Sequence, residues 1–352
     1  MKLALIGLPQ SGKTTIFNAL TGNNRPLTMS SGRSEIHPAT VNVPDERLEK
    51  LAELFASKKI VHAQISFVDV AGIGSEETGQ ELSSQLLNAL TGMDGLLLVV
   101  RAFADESVPH PRGTVNAARD LAAVQDELLL NDLIVVERKL QKFTEERGKG
   151  GRDIAAMERE IALFNRLQET LSANKPLRTM KLEKEEVAGM AGLGLLTVKP
   201  LLVVVNHGEG LAMPEIITDA PLLGLQGKLE MELAQLSPED AQAFLKEYGL
   251  QEIGAQRAIR AAYELLDVQT FYTVGEPEAH AWVLPRGGTA VEAADTIHSD
   301  IGRGFIRAEI IGAKELLDFG GMAPARDKGR LRLEGKEYVM QDGDVINVRF
   351  NV

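Results

Sequence analysis

Residues 3–20 read LALIGLPQSGKTTIFNAL, and this stretch decides the fold. Leu3 to Ile6 are an apolar run of the kind that fills a buried parallel strand. The run meets Gly7, then Gly12, Lys13 and Thr14, which is the P-loop spacing G-x-x-x-x-G-K-[ST]. Each residue type there has a chemical reason. Glycine lets the backbone wrap closely around phosphates with its N–H groups turned inward. Lys13 reaches the β and γ phosphates, and the Thr14 hydroxyl takes Mg²⁺. The helix expected from roughly Lys13 to Leu20 aims its positive end at the anion. Pro9, Gln10, Ser11 and Thr15 complete the expected phosphate-binding loop.

AQISFVDVAG (63–72) is a strand ending in Asp69, with Gly72 three residues on. An Asp at the end of a neighbouring strand sits where Mg²⁺ is held, and the Gly amide can sense a γ-phosphate. GLLLVVRAF (95–103) and LLVVV (201–205) are further buried runs. Apolar strands separated by helices predict a parallel α/β sheet with its ligand at the carboxyl ends of the strands. Arg101, at the end of one strand, is expected to pair locally rather than to act on phosphate.

The base end of the site lies in KPLLVVVNHGEG (199–210). Guanine readers usually carry Asn-Lys-x-Asp at this place, and the Asp accepts two N–H bonds from the purine edge, each worth roughly 1.5–3 kcal/mol. Here the order is Asn206, His207, Gly208, Glu209. Glu209 is one methylene too long for that geometry. Asn206, with an amide donor and a carbonyl acceptor, suits N7 and N6 of adenine. The expected ligand is ATP, with GTP as the alternative.

The bulk numbers set the frame. The chain has 352 residues, 44% hydrophobic and 25% charged, an ordinary globular composition that predicts two or three domains. The net charge of −12 gives no global attraction to nucleic acid or an anionic membrane, so any RNA contact needs a local basic patch, and no DNA sequence readout is expected. With no cysteine and no apolar run long enough to cross a bilayer, the reading is cytoplasmic, with no membrane partner.

Leu129, Leu133, Val136, Leu140 and Phe143 are spaced four and three apart, and Ile154, Met157, Ile161, Phe164, Leu167 and Leu171 nearly repeat the pattern. With the Gly-rich ERGKGGRD between them, this predicts an antiparallel helical hairpin inserted between strands. Its tip carries Lys139, Lys142, Arg147, Lys149 and Arg152, interleaved with acids, and reads as a solvated charged face. Short alternating strands return from about Gln269, with Asp342-Gly343 as a turn and TAVEAADTIHSDI as a helix, the order of a small β-grasp. Trp282 is expected in that core, and His298 lacks a second metal ligand nearby.

GLPQSGKTTIFNALTG, VPDERLEKLAELF, FVDVAG, VVRAF, RDLAAVQDELLLNDLIVVERKLQK, the Asn-x-x-Glu motif and the tail LEGKEYVMQDGDVINVRFNV follow one another in an order that resembles the Obg-like ATPase (YchF) family of P-loop NTPases. The resemblance spans nearly the whole chain. It implies a Ras-like nucleotide domain (1–110 and 200–268), a helical insertion (111–199) and a C-terminal TGS-like β-grasp domain (269–352). It also implies ATP preference on a GTPase fold and association with ribosomes, so the expected partner is the ribosome or RNA, with Mg the cofactor that Thr14 and Asp69 predict. Where Ras-like enzymes place a water-orienting Gln, this chain has Ile73, an apolar residue as in the family. The resemblance assigns water positioning to a His in the loop after VVR, which here is His110. The chain departs from the family at Gln10, where an Asn linked to a monovalent cation is usual, near Arg33 and Ser34 in the first switch, and at Gln226-Gly227-Lys228 on the base side. These departures predict slow hydrolysis. The competing readings are a nucleotide-binding adaptor that does not hydrolyse, and a small-molecule kinase, against which the Asn-x-x-Glu site and the TGS-like tail argue.

Overall fold

The apolar runs become strands buried on both faces. The computed structural model describes residues 1–25, 37–70, 73, 82–146, 153–248 and 252–351. Its first half comprises β1 (Lys2–Ile6), α1 (Lys13–Thr21), β2 (His37–Asn42), α2 (Glu46–Leu54), β3 (Ile60–Val61), β4 (Gln64–Asp69), α3 (Ser84–Thr91) and β5 (Gly95–Ala102). The helices α4 (Ala117–Glu146), α5 (Ile154–Ser172) and α6 (Lys184–Gly189) follow. Next come β6 (Leu201–His207), β7 (Leu222–Leu225), α7 (Gly227–Leu233), α8 (Pro238–Glu247) and α9 (Gly254–Glu264). The last stretch holds β8 (Val268–Val274), β9 (Ala279–Pro285), α10 (Ala290–Ile297), α11 (Ser299–Arg303) and β10 (Phe305–Gly312). It ends with α12 (Ala313–Phe319), α13 (Met322–Asp327), β11 (Arg332–Glu334) and β12 (Asp344–Phe350). The chain divides into two compact units, residues 1–39 with 66–258 and residues 40–65 with 259–352.

In the first unit the sheet order is β2-β4-β1-β5-β6-β7. β1 pairs in parallel with β4 on one side and β5 on the other, and β6 continues in parallel beyond β5. The chain therefore leaves β1 between strands that lie to either side, the crevice where open α/β sheets bind ligands. Leu3, Leu5, Ile6, Leu97, Leu98 and Val99 are wholly buried, as a sheet covered on both faces requires.

α4 serves two cores. Its first half places Leu121, Val124 and Leu128 against the sheet. Its second half places Leu129, Val136 and Phe143 against Met157, Phe164, Leu167 and Leu171 of α5, with Phe143 and Phe164 edge to face at 5.6 Å. Leu133, Leu140 and Ile161 border this second core, so the expected seam forms. Ile154 departs from it. As the first residue of α5 it is 72% exposed, one position after the capping Asp153, whose side chain accepts from Ala155 N–H. The hairpin tip 147–152, with Arg147, Lys149 and Arg152, lies outside the described residues.

The second unit carries the mixed sheet β11-β10-β12-β8-β9-β3. β8 and β9 form an antiparallel hairpin, β10 and β12 an antiparallel pair, and β12 lies parallel to β8. α10, held by a capping box between Thr289 and Glu292, covers one face with Ala290, Ala293 and Ala294. This is the β-grasp order. Trp282 packs on its core, with its indole N–H donating to Thr273 Oγ1 at 2.9 Å. His298 caps α11, its Nδ1 accepting from Asp300 N–H at 3.1 Å, and it belongs to no cluster of three or more His, Cys, Asp or Glu among the described residues. Of the nucleotide domain expected over 1–110 and 200–268, residues 40–65 and 259–268 pack in this second unit instead.

Candidate nucleotide-binding site

The loop between β1 and α1 turns through backbone that only its sequence permits. Gly7 has φ +148°, Gly12 φ +88° and Gln10 φ +61°. At Gly7 a Cβ would lie 2.3 Å from Val99 O, and at Gly12 it would lie 2.1 Å from the Asn206 amide nitrogen. These two glycines are therefore required for close approach as well as for handedness. Lys13 is buried, and its Nζ donates to Leu8 O at 2.8 Å and Gly7 O at 3.2 Å, spanning the loop. Burial pushes its pKa down to about 8, against the pull of Asp69. Ser11 Oγ is buried with no hydrogen-bond partner among the described residues, a donor the loop leaves unused. Pro9 and Gln10 stand half-buried on the loop and Thr15 half-buried in the first turn of α1.

Thr14 and Asp69, which lie 55 residues apart, meet here. Thr14 Oγ1 donates to Asp69 Oδ2 at 3.0 Å, and Arg25 Nη1 donates to the same oxygen at 2.8 Å. A hydroxyl and a carboxylate converging beside a phosphate loop are the hard oxygen donors that suit Mg²⁺, so the residues present fit that ion. Gly72 lies outside the described residues, as do Arg33 and Ser34. Ile73 is described: it is buried in the sheet core, and its N–H donates to Gly7 O at 3.0 Å.

At the base end, Asn206 acts as a clamp. Its amide donates to Ser11 O at 3.2 Å and its carbonyl accepts from Gly227 N–H at 3.1 Å. One side chain thus ties the phosphate loop, the end of β6 and the start of α7 together. A Cβ at residue 227 would come within 2.7 Å of the Asn206 carbonyl, which explains the glycine there. His207 is half-buried with Nδ1 3.2 Å from Gly208 O. Glu209 is exposed and makes no side-chain hydrogen bond among the described residues.

His110 lies at the end of a crevice under the loop, with Leu8, Pro9, Ser11, Arg101 and Asp120. Its Nδ1 accepts from Arg112 N–H at 3.0 Å, so the proton sits on Nε2, which donates to Asp120 Oδ2 at 2.8 Å. Asp120 is also gripped by Arg119, at 2.8 and 3.0 Å. Both ring nitrogens of His110 are engaged, and its side chain is only 4% exposed. Arg101, expected to pair locally, does so with Phe103 O at 3.1 Å and Val108 O at 2.8 Å while stacking on Phe103, and it also reaches Gln10 O on the phosphate loop at 3.4 Å. Burial lowers its pKa, and Asp105 and Asp120 oppose that shift.

Sequence reasoning missed Arg25, Asn18 and Asp120. Arg25 and Asn18 carry no motif. Asp120 had a faint signal, an acid in the first turn of a helix ten residues after a loop His.

The chain matches a family model described as a 50S ribosome-binding GTPase over residues 2–139 and the C-terminal YchF GTPase model (described as a protein of unknown function, DUF933) over residues 268–351. It is 39% identical to the ribosome-binding ATPase YchF of Bacillus subtilis (strain 168), over 99% of this chain and 98% of that one. It is 34% identical to the Pasteurella multocida (strain Pm70) protein of the same name, over 100% and 99%. The solved structure of the Schizosaccharomyces pombe YchF GTPase superposes with a TM-score of 0.86 at 27% identity, covering 99% of this chain and 97% of that one.

Proposed function

The chain belongs to the YchF family of P-loop NTPases, and on that premise we propose that it is a slow, ATP-preferring switch that works on the ribosome in the cytoplasm. The observation that carries the nucleotide reading is the cradle itself: left-handed glycines, buried Lys13, and Thr14 meeting Asp69. Thr14 and Asp69 would hold Mg²⁺, which when bound neutralises charge on the β and γ oxygens. Lys13 supplies a second positive group, and the backbone N–H groups of Gln10 and of Gly12 to Thr15 orient the phosphates. No helix among the described residues is long and apolar enough to cross a membrane.

Base choice rests on Glu209 more than on Asn206. With its carbonyl on Gly227 and one amide hydrogen on Ser11, Asn206 keeps one N–H for the purine N7, which adenine and guanine share. The exposed Glu209, longer than the Asp of guanine readers, is left to discriminate. Competitive calorimetry with ATP and GTP tests this. ATP should bind more tightly, and Glu209→Asp should move the ratio towards GTP by about tenfold or more. A tight guanine preference in the unaltered protein refutes the reading.

His110 is the proposed water-positioning residue. Its ring must first turn away from Asp120 and Arg112, which predicts slow turnover. Single-turnover hydrolysis should fall by about a hundredfold in His110→Ala. The second reading, a nucleotide-binding adaptor, is favoured by the apolar Ile73 and by the engaged His110 nitrogens. Absence of measurable turnover in the unaltered protein would establish it instead.

A further inference from the structure

Asp69 Oδ2 is a single oxygen with two donors, the Thr14 hydroxyl at 3.0 Å and the Arg25 guanidinium at 2.8 Å. Thr14 and Asp69 are the pair to which the metal has been assigned above. The guanidinium therefore stands where a cation is wanted. Lys13 does not fill that role, because its Nζ is turned to the carbonyls of Gly7 and Leu8.

Arg25 is held in this place. Its N–H donates to Asn18 Oδ1 at 3.2 Å and its carbonyl accepts from Asn18 Nδ2 at 2.9 Å, and Asn18 is wholly buried on α1. The preceding residues are fixed too, with Gln235 Nε2 donating to Gly22 O at 3.1 Å and Asn23 O at 3.3 Å. The guanidinium lies 5.7 Å from the centre of the Phe17 ring. α1 thus ends in a strap that brings one arginine back over the start of its own helix. The acceptor is 8% exposed and the guanidinium 29%, so the pair is partly shielded from water.

We propose that Arg25 is a resident counter-ion of the metal position, displaced when Mg²⁺ enters with its nucleotide. A divalent ion on Asp69 and Thr14 excludes a guanidinium from the same oxygen by charge and by space. Entry of the metal breaks the Arg25–Asp69 pair, and that cost is subtracted from the affinity for the Mg²⁺-loaded nucleotide. Nucleotide binding without the metal leaves the pair intact. Arg25 thereby sets how far occupancy depends on Mg²⁺. This rests on the assignment of Thr14 and Asp69 to the metal.

The test is calorimetric binding of a non-hydrolysable ATP analogue to the full chain, in excess Mg²⁺ and in EDTA. Arg25→Ala should bind the Mg²⁺-loaded analogue about tenfold more tightly, with the affinity in EDTA unchanged within about twofold. Arg25→Gln, which keeps most of the side chain over Phe17, should behave alike, so a packing defect in one variant does not decide the result. Weaker binding in both conditions would make Arg25 a nucleotide contact and overturn the proposal. So would unchanged binding in both. Asp69→Asn separates the underlying assignment: if this variant keeps the full Mg²⁺ dependence of the unaltered protein, the metal does not sit on Asp69 and the proposal falls with that reading. If Asp69→Asn loses that dependence while Arg25→Ala changes nothing, only the counter-ion fails.

Discussion

Lys13 is buried with two carbonyls and one nearby carboxylate, and burial lowers its pKa to about 8. Bound triphosphate favours the charged amine and raises that value. A group whose pKa rises on binding takes up a proton above its free-state pKa, so affinity must fall as pH climbs through it. The dissociation constant for the Mg²⁺-loaded triphosphate should be flat at about pH 7 and rise by up to about tenfold per pH unit above about 8. Calorimetry at pH 8.5 in two buffers of different ionisation enthalpy should register proton uptake, and Lys13→Met should register none. Equal heats in both buffers for the unaltered protein would contradict the argument. Lys13 and Thr14 were legible because phosphate chemistry imposes a fixed spacing within one loop. Arg25 was not, since nothing in Asn23-Asn24-Arg25-Pro26 announces a return to Asp69, 44 residues later. His110 was legible only by resemblance, and its lock on Asp120 depends on a register set by the start of α4, which spacing alone does not give.

At the scale of elements, α4 has a problem that its heptads hide. Asp132 interrupts an apolar seam and is wholly buried. Burial pushes its carboxyl up, and its hydrogen bonds pull against that shift. Those bonds run to the end of the insertion: Oδ1 accepts from Leu196 N–H at 2.9 Å, and Oδ2 from Thr197 N–H and Thr197 Oγ1, both at 2.7 Å. Thr197 in turn carries Leu177 and Arg178 through its hydroxyl and carbonyl. One carboxylate therefore closes the insertion just before β6, the strand that delivers Asn206. Asp132→Ala leaves buried amides unsatisfied and should cost about 3 kcal/mol; Asp132→Asn keeps one acceptor and should cost about half that, both read by urea denaturation. A change below about 0.5 kcal/mol in the alanine variant would mean that the turn finds its partners elsewhere. The hairpin was legible from its four-three spacing because both helices present that face to each other. The acid within it reads in sequence as a break in the pattern, since its partners lie 64 and 65 residues away.

Across the whole molecule, the least legible feature is that the second unit is discontinuous. Nothing in VPDERLEKLAELF says which core α2 belongs to, because an amphipathic helix announces its buried face and not its partner. The structure supplies the partner within the second unit. Asp45 caps α2 through Arg47 N–H at 2.9 Å and accepts the hydroxyl of the buried Tyr272. Arg47 bridges Asp45 and Asp342, the latter at 2.6 Å, and lies over the Tyr272 ring. Asp342 also accepts Thr270 N–H at 2.9 Å. β3 adds itself in parallel to β9, with Ala279 N–H donating to Lys59 O at 2.9 Å, and Ser57 Oγ donates to Gly275 O at 2.7 Å. A fragment of residues 259–352 alone therefore loses the acceptor of a buried phenol, one partner of Asp342 and the neighbour of β9. Each such loss costs on the order of 1–3 kcal/mol. In a domain of this size 1 kcal/mol moves the melting midpoint by roughly 4–8 °C. The fragment should accordingly melt at least about 10 °C below a fusion of residues 40–65 to residues 259–352, or fail to melt cooperatively, when both are followed by circular dichroism. Equal midpoints would show that the β-grasp strands hold themselves, and that residues 40–65 are a passenger on the second unit and not a part of its core.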